Sequence, residues 1–278
     1  MTAVAGPSPL VSPTGGAELV VEDRPPATAI IRDALTIAHR NLIALVRTPT
    51  TLVFSTIQPV IFVLMFRYVF GGAIAVPGYR YVDYLMPGIF VQTVCFGSVN
   101  TGVGLATDLQ TGIIERFRSL PMARSAVLAG RTLADVVRNL FVIVLMIVVG
   151  FLVGFQVHTG VLPFLAAVGL MLGLGLAMSW VMALVGLTTG NAEAAQAAAF
   201  PVMALLVFAS NAFVPPKSMP GPLRAYANHE PVSAVISAVR ALTHGGVTTE
   251  RVLAALAWIA AITIVFAALS VNRYRQTK

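Results

Sequence analysis

His229–Glu230 opens like the H-E-x-x-H helix of zinc proteases, in which two histidines one turn apart hold the metal and the glutamate is the base. Ser233 stands where the second histidine belongs, and Pro231 occupies the interior of the pattern. His229 therefore reads as a polar loop residue. Ser98 follows Gly97, as the nucleophile of an intramembrane serine protease would, but no histidine lies near the middle of any apolar run and His158 sits at an edge. A P-loop needs a Gly-Lys pair within G-x-x-x-x-G-K-[ST]. The chain has two lysines, Lys217 and Lys278, and neither follows a glycine. It binds no nucleotide through that motif. The single cysteine, Cys95, rules out an intrachain disulfide and a cysteine-built metal site. It lies in an apolar run and reads as a small packing residue.

The elements that carry these residues belong to a membrane. Hydrophobic residues make up 57% of the 278 positions and charged residues 10%, against about 25% charged in a soluble domain. Mean hydropathy is +0.86 and the isoelectric point is near 10.2. The net charge of +7 is carried by arginines at the edges of apolar runs. That placement fits membrane topology rather than a nucleic-acid face, which would interleave basic residues with exposed aromatics.

A spanning helix needs about 20 apolar residues. Uncharged runs predict six spans, at about 48–70, 84–107, 134–155, 162–188, 195–215 and 252–272. The stretch QVHTGVLP at 156–163 divides a run too long for one span. Arg67 follows the first run, and its stem can snorkel from a helix end. Six spans put both termini on one side. Alternation then gives twelve Lys and Arg to the side of the termini and six to the other, so the termini are expected in the cytoplasm. The loop after the fourth span, NAEAAQ, carries no positive charge.

Three further pieces flank or join the spans. Residues 1–26 hold five prolines and a Gly-Gly pair and are expected to form a disordered cytoplasmic tail. Ala27–Arg47 places Ile31, Leu35, Ala38, Leu42 and Val46 against Arg32, Asp33, His39 and Arg40, an amphipathic helix for the cytoplasmic interface. Lys217–Glu250 is an external segment, re-entrant or interfacial. Within it, Pro231 opens a helix with Val232, Val235, Ile236, Val239 and Leu242 on one face, and Gly245–Gly246 stops it.

The span interiors carry amides, Gln58, Gln92, Asn100 and Asn211. Such residues either glue helices together or line a solute path. A proton or ion carrier would bury charge there, and the central portions hold none. The charge concentrates instead in ERFRSLPMARSAVLAGR, Glu115–Arg131. From Thr107 to Leu120, Ile113, Ile114, Phe117 and Leu120 share one helical face, while Asp108, Glu115, Arg116 and Arg118 cover the rest. Pro121 ends that helix. Arg131, Asp135 and Arg138 follow at i, i+4 and i+7, where they can pair along one face and lower the cost of charge near the membrane. A solvated loop accounts for the arginines. It does not account for Phe117 and two isoleucines, which suit a groove on another protein.

The stretch DLQTGIIERFRSLPMARSAVLAGRTLAD resembles the loop between the second and third spans of type-2 ATP-binding-cassette (ABC) exporter permeases, above all the daunorubicin-resistance branch of drug exporters. Glu115–Met122 matches an E-R-F-R-S-L-P-M core and Gly130–Asp135 a G-R-T-x-A-D segment. NHEPVSAVISAVRAL is similar to the segment before that family's last span, with Pro231 and Arg240 at matching positions. The resemblance covers roughly Ala27 to Arg275. It implies an all-α, six-span transmembrane domain over 27–278 that dimerises with a second copy or a sister permease. Each copy would recruit a separate ATPase holding ATP and Mg. The interfacial helix and the Asp108–Leu120 helix would make that contact. The second and fifth spans would line the substrate path, which points to Gln92, Phe96, Asn100, Phe208 and Asn211. The function implied is export of an amphiphilic antibiotic, drug or lipid across the bacterial cytoplasmic membrane, with no catalysis on this chain. A polysaccharide or lipid-linked glycan exporter is the alternative within transport. A non-transporting anchor or sensor for an ATPase is the alternative outside it.

Overall fold

The computed structural model describes residues 49–69, 80–112 and 124–276, with single positions at 71, 76 and 78. The N-terminal tail, the expected interfacial helix, and Ile113, Glu115, Arg116, Phe117, Arg118 and Pro121 lie outside the described residues. Among the described residues every regular element is helical. In chain order they are α1 (Pro49–Leu64, continued by a π-helical turn, Met65–Val69), α2 (Tyr81–Gly97), α3 (Val99–Gln110), α4 (Arg124–Leu152), α5 (Val161–Thr189), α6 (Ala192–Phe208), α7 (Gly221–His229), α8 (Pro231–His244) and α9 (Thr249–Gln276).

Among the described residues four stretches are long and apolar enough to cross a membrane: Tyr81–Gln110, Gly130–Leu152, Val161–Thr189 and Thr249–Tyr274. Two shorter apolar helices, Ile57–Val69 and Ala192–Phe208, overlap the expected first and fifth spans. The expected second span is one apolar stretch, α2 followed by α3, interrupted only by a turn at Ser98, whose backbone stays helical (φ −66°, ψ −21°).

Helix α5 is the hub and packs against α2, α3, α4, α6, α8 and α9. Its Leu, Met and Ala content favours helix throughout, and it is apolar on every side, as a buried or membrane helix must be. Gly190 ends it in the left-handed region (φ 61°), donating its N–H to Gly186 O at 3.1 Å. Asn191 then caps α6, its side chain accepting from the N–H groups of Glu193 and Ala194. Two residues thus turn the chain back on itself. Close approach of α3 to α5 depends on Gly102 and Gly186. A Cβ on Gly186 would collide with the Gly102 carbonyl, and one on Gly102 would lie 2.5 Å from Met182 O. Small residues at such crossings let backbones touch in the absence of a hydrophobic drive between helices.

Every residue of α2 from Tyr81 to Cys95 is buried, whereas α9 leaves most of its surface outward. Helix α8 does not lie against the bundle surface. It is buried along most of its length and packs on α2, α5 and α9. Its N-terminus is capped by Glu230, whose carboxylate accepts the N–H of Val232 at 3.0 Å and that of Ser233.

Candidate functional site

A cavity of about 590 Å³ opens beside the α2–α3 turn, within the size range of small-molecule sites. Gln92, Thr93, Phe96 and Gly97 come from α2, Val99 and Asn100 from α3, Gln58 and Pro59 from α1, Arg138, Asn139 and Val142 from α4, and Gln196 and Phe200 from α6. Gln92, Phe96 and Asn100 are spaced by four residues, so one helical face carries all three. Gln196 and Phe200 share a face of α6 in the same way. Phe96 meets Phe200 with ring centroids 6.4 Å apart.

The turn is built from local and distant donors. Ser98 Oγ donates back to Cys95 O at 2.6 Å, a bond that competes with the helical ladder. Arg138 Nη2 reaches the Gly97 carbonyl at 2.6 Å and Nη1 pairs with Asp135 at 2.9 Å. Asp135 also accepts from the Thr101 hydroxyl, and Thr101 lies 3.3 Å from Ser179 Oγ on α5. Asn139 is wedged where only glycines leave room: a Cβ on Gly97 would lie 2.9 Å from its Oδ1 and one on Gly175 would lie 2.8 Å from its Nδ2. Among the described residues, Gln92 Oε1 and Asn139 Nδ2 are buried without a hydrogen-bond partner.

The residues singled out by sequence separate into three places. Gln92, Phe96 and Asn100 come together at the cavity. Phe208 sits at its edge, 6.4 Å from Phe96, inside an aromatic cluster with Phe62 and Phe213. Asn211 lies elsewhere, in the network around Arg240. The charged series also divides: Asp135 pairs with Arg138, while Arg131 crosses to Asp108 at the end of α3. Arg138, Asn139, Thr93, Gln196 and Phe200 went unread as cavity residues. The four-residue spacing of Gln196 and Phe200 was the available signal. Arg138 and Asn139 looked like the edge of a span.

Arg240 is the second polar centre. Its guanidinium lies 3.6 Å from the centroid of the Tyr84 ring. It donates to the carbonyls of Tyr84 (2.9 Å), Asn211 (2.8 Å) and Ala212 (3.0 Å). The stretch after α6 is unwound there, and Tyr84 Oη also donates to Asn211 O at 2.9 Å. One cation thus joins α2, α8 and the end of α6.

Beside it, the chain between α4 and α5 clamps the end of α8. His158 N–H donates to Thr243 O at 2.9 Å, Thr159 Oγ1 donates to Leu242 O, and Gln156 N–H donates to Asp83 Oδ1 at 3.0 Å. His158 and His244 face each other, Nδ1 to Nδ1, at 3.1 Å. His244 Nε2 donates to Asp83 O at 2.9 Å. Burial lowers the His244 pKa below its ordinary value, against the opposing pull of the Asp83 carbonyl and carboxylate. Burial raises that of Glu230, against its bonds to Ser233 and Val232. Among the described residues no group of three or more His, Cys, Asp or Glu converges as a metal site.

A bundle of apolar helices with a solute-sized cavity of mixed apolar and amide lining fits a multi-pass membrane protein. The chain belongs to the ABC-2 type transporter family, whose model matches residues 32–243, and is a permease-type membrane subunit. It is 34% identical over 253 residues to the daunorubicin resistance ABC transporter permease protein DrrB1 of Streptomyces coeruleorubidus, covering 91% of this chain and 89% of the relative. It is 27% identical over 251 residues to the probable doxorubicin resistance ABC transporter permease protein DrrC of Mycobacterium tuberculosis, covering 90% and 91%. The doxorubicin resistance permease DrrB of the same organism matches at 32% over 124 residues, 45% of this chain and 43% of the relative.

Proposed function

We propose that this chain is the membrane half of an ATP-driven exporter that moves an amphiphilic compound, an antibiotic, drug or lipid, out across the bacterial cytoplasmic membrane. The observation that carries the reading is the cavity of about 590 Å³ beside the second span, at its turn at Ser98, in a family whose relatives are named for daunorubicin and doxorubicin resistance. The helix pattern supports six spans, with the two shorter apolar helices as the first and fifth and both termini in the cytoplasm. Two copies, or one copy and a sister permease, enclose the path. A separate ATPase supplies ATP and Mg, docking on the interfacial helix at 27–47, on Asp108 at the end of α3, which stops at Gln110 before a left-handed Gly112 (φ 70°), and on the segment bearing Ile113, Glu115, Arg116, Phe117 and Arg118, with Pro121 as its stop. Movement there reaches the cavity through Asp108–Arg131 and α4, because Arg138, two turns further along α4, holds the turn.

Reconstituted vesicles test the coupling. Glu115→Ala combined with Phe117→Ala is expected to lower ATP-dependent export about tenfold, equivalent to about 1.4 kcal/mol, with permease and ATPase still co-purifying. Full export by the double variant excludes this segment as the coupling element. The amide lining also suits a sugar head group, so a lipid-linked glycan is the second reading. Parallel export of a labelled drug and a labelled lipid-linked sugar separates the two.

A further inference from the structure

The clamp between the α4–α5 connection and α8 holds two imidazoles head to head at its surface. His158 is exposed and His244 half-buried. Their Nδ1 atoms stand 3.1 Å apart, with ring centroids 5.3 Å apart and ring planes inclined by 51°. His244 donates through Nε2 to Asp83 O at 2.9 Å, so its neutral ring presents a lone pair at Nδ1. A histidine that ligates a metal spends its other ring nitrogen on a carbonyl or carboxylate in this way, which fixes the tautomer and the ring orientation. The backbone around the pair is tied as well, His158 N–H to Thr243 O and the Thr159 hydroxyl to Leu242 O. Phe155 meets the His244 ring edge-on, 5.7 Å between centroids. A tetrahedral ion with metal–nitrogen bonds of about 2.0–2.1 Å holds two nitrogen ligands about 3.3 Å apart. The two Nδ1 atoms need to part by only about 0.2 Å to meet that spacing.

We propose that His158 and His244 form a two-histidine site for a divalent transition ion that prefers imidazole, Cu(II) or Zn(II), and that the bound ion fastens the α4–α5 connection to α8. Both residues lie on the side proposed above as external, and the site depends on the fold and not on the cargo. Without an ion, the neutral pair shares one proton, His158 Nδ1–H donating to His244 Nδ1. On binding, that proton moves to His158 Nε2, so two neutral rings coordinate through Nδ1 with no net loss of protons. The Asp83 carboxylate is committed to Arg80 and to the Gln156 N–H. Among the described residues no third His, Cys, Asp or Glu joins the pair. Water completes the shell, which makes the ion exchangeable, and imidazole ligands rank Cu(II) above Zn(II).

Titration of Cu(II) and of Zn(II) into the full-length permease in detergent, free of any affinity tag and at neutral pH, tests the site. One ion per chain is expected, with Cu(II) at least about tenfold tighter than Zn(II). The electron paramagnetic resonance spectrum of bound Cu(II) is expected to show the splitting of two coordinated nitrogens. His158→Gln and His244→Gln are each expected to weaken binding at least about tenfold, the second while keeping a donor for Asp83 O. His229→Gln, at the end of α7, is the control and is expected to bind like the unaltered protein. Saturating Zn(II) is expected to slow hydrogen exchange at the His158 amide at least about tenfold, because an ion bound to the closed clamp opposes its opening. In His244→Gln, Zn(II) is expected to leave that exchange unchanged. No binding of either ion at about 1 mM, or a Cu(II) spectrum without two nitrogens, overturns the proposal. Binding that survives both substitutions means an adventitious ion only and overturns it too. Exchange at the His158 amide that bound Zn(II) does not slow overturns the fastening.

Discussion

Arg240 shows how one side chain sets the local structure of three elements. Its neighbours are carbonyls and a ring face, so its fixed planar fork matters as much as its charge. Arg240→Ala removes the hydrogen bonds to Tyr84, Asn211 and Ala212. It is expected to cost about 3 kcal/mol or more, read as a lower melting temperature in detergent. Arg240→Lys keeps a charge but neither the fork nor the stacked plane, and is expected to recover less than half of that loss. Full recovery by lysine would mean that charge alone holds the site. The sequence exposed part of this. The matching arginine was visible through the family resemblance, yet by position it counted as one more external positive charge. Its partners are out of reach of any local pattern: Tyr84 is 156 positions away, and Asn211 and Ala212 accept because α6 has ended. Gln92, Phe96 and Asn100 were legible through the family resemblance, which has the second span line the path; by themselves Gln92 and Asn100 were lone amides in an apolar run. Asn211 gave the same signal, a lone amide in an apolar run, and serves a different network.

Among elements, the contact between α3 and α5 decides whether the inner half of the second span stays in register with the hub. Gly186→Val places a branched side chain against the Gly102 backbone, where both partners are main chain and cannot turn aside. The expected cost is about 1–3 kcal/mol. Gly169→Ala on the same helix meets nothing within 4 Å and is expected to be neutral or to stabilise by up to about 1 kcal/mol. Thermal denaturation of the two variants side by side checks the pair, and equal destabilisation would contradict backbone contact as the cause. Element ends were readable where local chemistry fixes them, at Gly190–Asn191 and at Pro231. The turn within the second span was also written locally, in Gly97–Ser98, since Gly/Ser pairs are common kink sites. That pair reads first as a nucleophile candidate and yields its meaning only once Arg138 is seen on the Gly97 carbonyl. Helix α8 reads as amphipathic, and periodicity assigns its polar face to water. The fold buries that face too, because Ser233, Arg240 and Thr243 find partners inside.

For the molecule as a whole, the clamp between the α4–α5 connection and α8 ties the middle of the sequence to its last third, and its pH dependence follows from His244. His244 faces His158, with Asp83 and Arg240 as the charged groups around it and Arg80 paired to Asp83. The folded protein holds His244 neutral more strongly than the unfolded chain does. The unfolded chain therefore takes up the proton first as pH falls. The stabilisation is complete above about 6.5 and is lost progressively below it. Protonation of His244 puts a second N–H at Nδ1, where the neutral ring, already donating through Nε2, can only accept, and the clamp loosens. Hydrogen exchange at the His158 amide, corrected for intrinsic rate, is expected to speed up between pH 7.5 and pH 5. His244→Gln retains a donor for the Asp83 carbonyl without titrating, and is expected to flatten that dependence. An unchanged pH profile in the variant would assign the effect elsewhere. None of this was visible in the sequence, where His158 and His244 are 86 positions apart.

The distance from Tyr84 to Arg240 has a consequence for biosynthesis. A ribosome adding about 5–20 residues per second needs roughly ten to thirty seconds to cover that interval. Throughout it, α2, buried from Tyr81 to Cys95 in the finished protein, waits without one of the elements that enclose it, α8. A chain arrested before α8 carries an α2 that α4 and α5 already cover but that stays bare where α8 packs, and to a membrane protease it differs from the mature protein at that surface. Arrival of one arginine on the Tyr84 ring marks the moment at which α2 is closed, with α9 still to be added.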